Sequence, residues 1–415
     1  MTQDNDSTEG NRVKDELLDQ LLAKPVGSAA STAAPKDQYT SKVEVKGDVV
    51  SAEVHVAPDE DENTVVRATL EAAGLNPDEW KVTGLRTGSW TMPSGEAGSS
   101  VRFTFGPATP GPDFKRPNIE ELLEAIDDRP MEPRVMHHIR DLNERAVAHT
   151  YIVALGDTQF GKIDGDGAEG TLRRVLNAID SAADIYSEHY AMRFWLPHIH
   201  IAWLGDHVEG FVSQGGQNAW RTTLTLTEQI RLTRRVMLYA LQKFYPLCSK
   251  LTMAAVPGNH GEAVRFASAG VTRYDDSLDT ESLIAVSDAT QLYPDRFENV
   301  EFFVPDTDEL TVVLDCSGTT VAHAHGHKWR GGKHFEWWKG QAFSSPRLGS
   351  ADLLLAGHLH HEFIDTDGPR TFVQVPSFES ESTWFRHHTG TVGAPGLIVM
   401  VTANGEVPVK EVVRG

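Results

Sequence analysis

Residues 151–159 read Tyr-Ile-Val-Ala-Leu-Gly-Asp-Thr-Gln. A short, unbroken apolar run has the length of a strand covered on both faces, and the Gly-Asp step that ends it is turn chemistry. The pattern recurs. Ile199–Leu204 leads into Gly205-Asp206-His207-Val208-Glu209, and Leu251–Val256 into Gly258-Asn259-His260-Gly261-Glu262. Thr319–Ala324 runs into His325-Gly326-His327, and Ala351–Ala356 into Gly357-His358-Leu359-His360-His361. Between the first two runs Leu172, Val175, Leu176 and Ile179 share a helical face; between the next two, Ile230, Met237, Leu238 and Leu241 do so. Strands alternating with helices predict an α/β domain, and such sheets bind ligands beyond the carboxyl ends of their strands. The stretch 371–413 reads as further strands, which predicts that the sheet finishes antiparallel.

The five strand ends therefore bring Asp, Gln, Asn and several His to one edge. Carboxylate, amide oxygen and imidazole suit divalent Mn, Fe or Zn, and the two cysteines, Cys248 and Cys316, lie outside these motifs. Two such ions about 3.5–4 Å apart form a clamp for in-line attack on a phosphate.

The ordered set D-x-Q, G-D-x-x-E, G-N-H, H-G-H and G-H-x-H resembles that of the calcineurin-like metallophosphoesterases, over about 148–400. The resemblance implies a layered sandwich of mixed β-sheets flanked by helices. It implies that Asp157, Gln159 and His360 hold a first metal, that Asp206 bridges, and that Asn259, His325 and His358 complete the second. His260 is then the catalytic histidine facing the leaving group, and a metal-bridging hydroxide attacks phosphorus. His323 and His327 are the fallbacks for the fourth motif. Gln159 stands where histidine is more usual, and a neutral amide is the poorer ligand, which turns the expected pair of ions toward Mn²⁺ over Fe²⁺ or Zn²⁺. Glu209 and Glu262 are expected to orient ligands from behind.

The D-x-Q-x-G-K form, with Gly161-Lys162, is similar to that of phage-encoded members and of the SbcD-like nucleases of double-strand-break repair, which implies a DNA exo- or endonuclease. Around the site, His207, His327, Lys328, Trp329 and Arg330 are candidate substrate contacts. Residues 328–340 (KWRGGKHFEWWKG) interleave cations with aromatics; they read either as a grip on single-stranded nucleic acid or as a helix turning its tryptophans inward. A small phosphoester substrate (cyclic nucleotide, dinucleotide or phosphoprotein) and a metal-binding scaffold without activity are the alternative functions.

Upstream the organisation is looser. Residues 1–40 are expected to be a disordered tail, with an Ala/Ser/Pro-rich stretch at Lys24–Lys36. Residues 41–112 read as a small accessory α+β module and linker, a docking element for a protein partner. Residues 113–147 read as a helical connector, and 148–415 as the catalytic domain. The 415 residues carry a formal charge of −21, spread as −11 over 1–150 and −10 over 151–415. That excludes coating of nucleic acid by bulk charge but says nothing of a cleft. Met1–Asp15 lacks an apolar core, and no run is long enough to span a bilayer, so a cytoplasmic protein without membrane contact is expected.

Overall fold

A computed structural model describes residues 42–46, 49–54, 66–67, 69–71, 75–77, 80–91, 97–107, 116–131, 147–191, 193–211, 222–263, 273–381, 387 and 393–415. The expected tail, residues 108–112 of the expected linker, and residues 113–115 and 132–146 of the expected helical connector lie outside them. The chain divides into two compact units, Met1–Asp113 and Phe114–Gly415.

The first unit holds an antiparallel sheet of β1 (Lys42–Lys46), β2 (Val49–Val54), β3 (Trp80–Thr91) and β4 (Ala97–Pro107), in the order β1-β2-β4-β3. The alternating run near residue 42 therefore joins the later hairpin in one sheet, through the pairing of β2 with β4. Phe103 and Phe105 are buried, stacked 5.9 Å apart, as is Leu70.

The second unit is an α/β sandwich of two mixed sheets flanked by helices. Its first sheet contains β5 (Ala148–Leu155), β6 (Trp195–Trp203), β7 (Lys250–Ala255), β8 (Val300–Phe303), β14 (Leu397–Ala403) and β15 (Glu406–Val413), ordered β15-β14-β5-β6-β7-β8. Strands β5 to β8 are parallel, while β14 and β15 add antiparallel. The second sheet contains β9 (Val312–Cys316), β10 (Thr319–His323), β11 (Leu353–Ala356), β12 (Phe363–Asp367) and β13 (Arg370–Gln374), ordered β12-β13-β11-β10-β9. The five motif-bearing strands are thus split three and two between facing sheets, which corrects the expectation of one sheet edge. The run at Phe372 pairs parallel with β11 and antiparallel with β12.

Alternation along each strand explains the layers. On β5, Tyr151, Val153 and Leu155 face the helices, while Ile152 and Ala154 enter the inter-sheet core with Leu353, Leu355 and Val373. On the outer side of the first sheet pack α1 (Ile119–Asp127), α2 (Gly167–Ile185), α3 (Leu226–Phe244) and α4 (Leu278–Gln291). Helix α1, the described part of the expected connector, shares this core through Leu122, Leu123 and Ile126. On the second sheet's outer side α5 (His334–Gln341) buries Trp338 against Ala322, Leu354 and Phe372. No described helix is long and apolar enough to cross a membrane.

One polar chain crosses the sandwich interior. The Nδ1 of His323 lies 3.0 Å from the Val312 carbonyl, which only accepts, so that nitrogen carries the hydrogen. Its Nε2 then accepts from His200 Nε2 at 2.8 Å, and His200 Nδ1 accepts from Thr252 Oγ1 at 2.7 Å. His198 Nε2 donates to Thr252 Oγ1 at 2.8 Å, and Thr150 Oγ1 donates to His198 Nδ1 at 3.0 Å. Each ring is neutral, with one donor and one acceptor filled.

Candidate metal centre

The turns after β5 and β6 are zipped to one another by backbone hydrogen bonds. Asp157 N donates to Gly205 O at 2.9 Å, Gln159 N to Asp206 O at 2.9 Å, and Phe160 N to His207 O at 3.0 Å. Carboxylates then cross between turns: Asp206 Oδ1 accepts from His260 N at 2.7 Å, and Asp157 Oδ2 from His358 N at 2.8 Å. The motif glycines make room for this. A Cβ on Gly258 would lie 2.0 Å from Asp206 Oδ1, and one on Gly357 2.5 Å from Asp157 Oδ2. Asp157, Gln159, Asp206, His358 and His360 all sit at positive φ, between 38° and 74°, a conformation that costs a non-glycine residue free energy.

The side chains converge in two groups. In one, His325 Nδ1 lies 2.7 Å from the Leu204 carbonyl, so that nitrogen holds the hydrogen. Its Nε2 stands 2.9 Å from Asp206 Oδ2 without hydrogen-bond geometry. Asp206, His325 and His358 offer ligand atoms that all lie within 4.8 Å of one another, and Asn259 Oδ1 is buried without a partner. In the other group, His360 Nδ1 lies 2.6 Å from Glu379 Oε1, and its Nε2 3.4 Å from Asp157 Oδ1. Asp157 Oδ1 has no hydrogen-bond partner. Buried polar atoms left unpaired cost about 1–3 kcal/mol each. His325 lies in the cluster with Asp206 and His358, whose mutual spacing a divalent cation satisfies.

Electrostatics follow the geometry. Burial alone would lower the pKa of His325, but the Asp206 charge raises it to about 9. Burial is likewise outweighed by Asp206 and Glu209 at His260, pushed up to about 9, and by Glu379 and Asp157 at His360, pushed up to about 10. Asp206 is held well below the usual carboxylate range: burial would raise it, but His325 and His260 outweigh that. His358 is lowered to about 4, chiefly by burial.

Of the three alternating histidines, His323 belongs to the polar chain between the sheets, and His325 faces Asp206. His327 lies beside both, its ring 5.4 Å from that of His325 and 6.2 Å from that of His358, with neither nitrogen hydrogen-bonded. His260 donates from Nδ1 to the Glu209 carbonyl at 3.0 Å, and Glu209 Oε2 stands 3.3 Å from the same nitrogen. Glu209 therefore stands behind His260. Glu262 is half-buried, and burial raises its pKa against the Lys328 charge.

Three expectations change. Gln159 reaches the site, but its amide oxygen accepts from Lys162 Nζ at 3.1 Å while Nε2 lies 3.3 Å from His260 Nε2. His207 is fully buried edge-on to Trp203, 5.3 Å between rings, so it packs instead of meeting a substrate. The aromatic stretch takes the inward reading: Trp338 is buried, and Trp329 packs on Trp337 at 4.5 Å and near Phe372. Lys328 and Arg330 remain exposed, with Lys328 4.9 Å above the Tyr274 ring.

Two residues at the site carried no sequence signal. Asp279, near the start of α4, accepts from the backbone N–H of Asp206 at 3.1 Å, His207 at 2.9 Å and Gly258 at 2.9 Å, tying two turns together. Glu379, after β13, is bound by Lys162 Nζ at 2.5 Å as well as by His360. Burial would raise the Glu379 pKa, but these two cations hold it at about 2. Both residues lie far along the chain from the groups they hold.

No family model matches this chain, and no curated protein sequence matches it. Among solved structures it is similar to an archaeal phosphodiesterase, with 14% identity and a TM-score of 0.30, over 63% of this chain and 99% of that one. It is similar also to Vacuolar Protein Sorting 29 of Cryptosporidium parvum, with 12% identity and a TM-score of 0.29, over 64% and 98%. A predicted phosphoesterase of Streptococcus pneumoniae matches at 12% identity and a TM-score of 0.25, over 65% and 100%.

Proposed function

We propose that this chain is a metal-dependent phosphodiester hydrolase whose substrate is nucleic acid. The observation that carries the reading is the cluster of Asp206, His325 and His358, whose ligand atoms lie within 4.8 Å of one another, with buried atoms of Asp157, Asn259 and His325 left unpaired at the ends of strands from both sheets. Asp206, Asn259, His325 and His358 would hold one ion, and Asp157, Asp206 and His360 another. Divalent ions in such a place supply positive charge to a phosphate and bring the pKa of water toward neutrality.

The chain's own groups do the rest. Asp279 fixes the turns that carry Asp206 and Gly258. Leu204 and Glu379 set the tautomers of His325 and His360, so that each turns Nε2 inward. His260, anchored through Nδ1 by Glu209 and 4.0 Å from Asp206 at Nε2, is placed to give a proton to the departing oxygen. Exposed Lys328 and Arg330, just past the H-G-H turn, favour a polyanionic substrate; their reach is through backbone phosphates, because the neighbouring tryptophans pack inward.

The test is a matrix of Mn²⁺, Fe²⁺ and Zn²⁺ against linear single- and double-stranded DNA, bis(p-nitrophenyl) phosphate and a cyclic nucleotide, with His260→Ala as control. Metal-dependent DNA cleavage lost in the control is expected. Turnover of the small diesters alone would leave the phosphodiesterase and remove the nuclease. Silence across the matrix would remove both.

A further inference from the structure

The two groups of donors are built differently, and the difference centres on Lys162. Its ammonium lies between Gln159 Oε1, at 3.1 Å, and Glu379 Oε2, at 2.5 Å, with the side chain 16% exposed. An ammonium only donates, which settles the orientation of the Gln159 amide: oxygen toward the lysine, nitrogen toward His260. An ion using that oxygen would share it with a fixed positive charge. On the opposite side, among the described residues, no lysine or arginine hydrogen-bonds to Asp206, Asn259, His325 or His358. Asn259 Oδ1 and His325 Nε2 have no hydrogen-bond partner, and Asp206, His325 and His358 offer ligand atoms within 4.8 Å of one another.

We infer that Lys162 makes the centre unequal: one divalent ion binds tightly through Asp206, Asn259, His325 and His358, while the Asp157/His360 position binds a second ion weakly, without Gln159 as a ligand. Lys162 is a positioning residue here, acting through Gln159 and Glu379. Glu379 in turn holds His360, so the same ammonium that weakens the second position also keeps its histidine oriented. Such a centre keeps one ion at all times and takes the other only when the free ion is abundant or when a phosphate bridges the two positions. The inference rests on the metal-centre reading above and deepens it.

The experiment is a Mn²⁺ titration of the full-length, metal-stripped protein, read by calorimetry and by electron paramagnetic resonance. The wild type is expected to show two classes of site with dissociation constants at least about tenfold apart. At one ion per chain the spectrum should be the six-line signal of an isolated Mn²⁺. Lys162→Met should tighten the weaker class roughly tenfold and leave the tighter one in place. Gln159→Leu should change the weaker class by less than about threefold, because no metal bond is lost. Two equivalent sites in the wild type, a weaker class unmoved by Lys162→Met, or one abolished by Gln159→Leu would each overturn the inference while leaving a metal centre. Absence of any binding would overturn the inference and the metal-centre reading together. If Lys162→Met does not fold, the wild-type titration and Gln159→Leu still decide.

Discussion

The second unit contains two histidine clusters made of the same residue type, and they are opposites. Between the sheets, His198, His200 and His323 are each paired at both ring nitrogens by threonine hydroxyls, by one another or by a carbonyl. A few ångströms further along the same strands, His325 and His327 keep buried nitrogens without a partner. Residue type and burial do not separate them; satisfaction does. Polar atoms closed on one another specify a fold, whereas polar atoms left open at a shared point ask for a ligand.

The sharpest way to break this comparison is to remove the open cluster's shared carboxylate. Asp206→Asn should lower kcat/KM for a phosphodiester about 10³-fold with the circular dichroism spectrum unchanged; a variant that kept its activity would mean that the open cluster is not the site. His260→Ala should cost about 10²-fold or more in kcat and leave bound metal as in the wild type, checked by elemental analysis. Asp279→Ala tests the scaffold beneath the open cluster. It strips three backbone N–H groups of their acceptor, so thermal or urea unfolding should register a loss of about 3 kcal/mol.

The closed cluster should behave in the reverse sense. His200→Leu leaves Thr252 and His323 each missing a partner and should cost about 2 kcal/mol of stability, while metal binding stays within about threefold of wild type. The last effect is on pH. Burial lowers the His198 pKa to about 4 and that of His200 well below its ordinary value. Both are therefore neutral in the folded chain at pH values where the unfolded chain protonates them. Stability should be full above about pH 6.5 and fall with acid below it, by roughly 1 kcal/mol per pH unit for each histidine until the folded pKa is reached. Urea midpoints between pH 7 and 5, in wild type and in His200→Leu, measure this, and the variant should show the shallower slope.

Much of the open cluster was legible in the sequence, because each donor follows its own strand within a few residues and a glycine beside it marks the tight turn. What was not legible is set by distance. Asp279 bonds turns centred on residues 206 and 258, and Glu379 serves His360 from beyond another strand; no local pattern announces either. The split into two sheets came with the family resemblance and was hidden only from the run pattern, for another reason. Strands buried on both faces read as the same apolar runs in one open sheet or in two that face each other. Trp329, Trp337 and Trp338 show the limit of composition: cations interleaved with aromatics look alike whether the rings point to solvent or to the core. Lys162 lies three residues from Gln159, near enough to be seen, but its consequence for that ligand emerges only with the direction of its hydrogen bond.

Five donor-bearing residues, Asp157, Gln159, Asp206, His358 and His360, hold left-handed backbone, and this bears on engineering. Glycine at any of them would relax the chain by about 1 kcal/mol, so a search for thermostable variants would be drawn to these positions first. Every such gain would delete a group of the site. The residues that make the protein least comfortable are the ones its chemistry needs, and screens run on heat resistance alone would select a sturdier molecule that has stopped working.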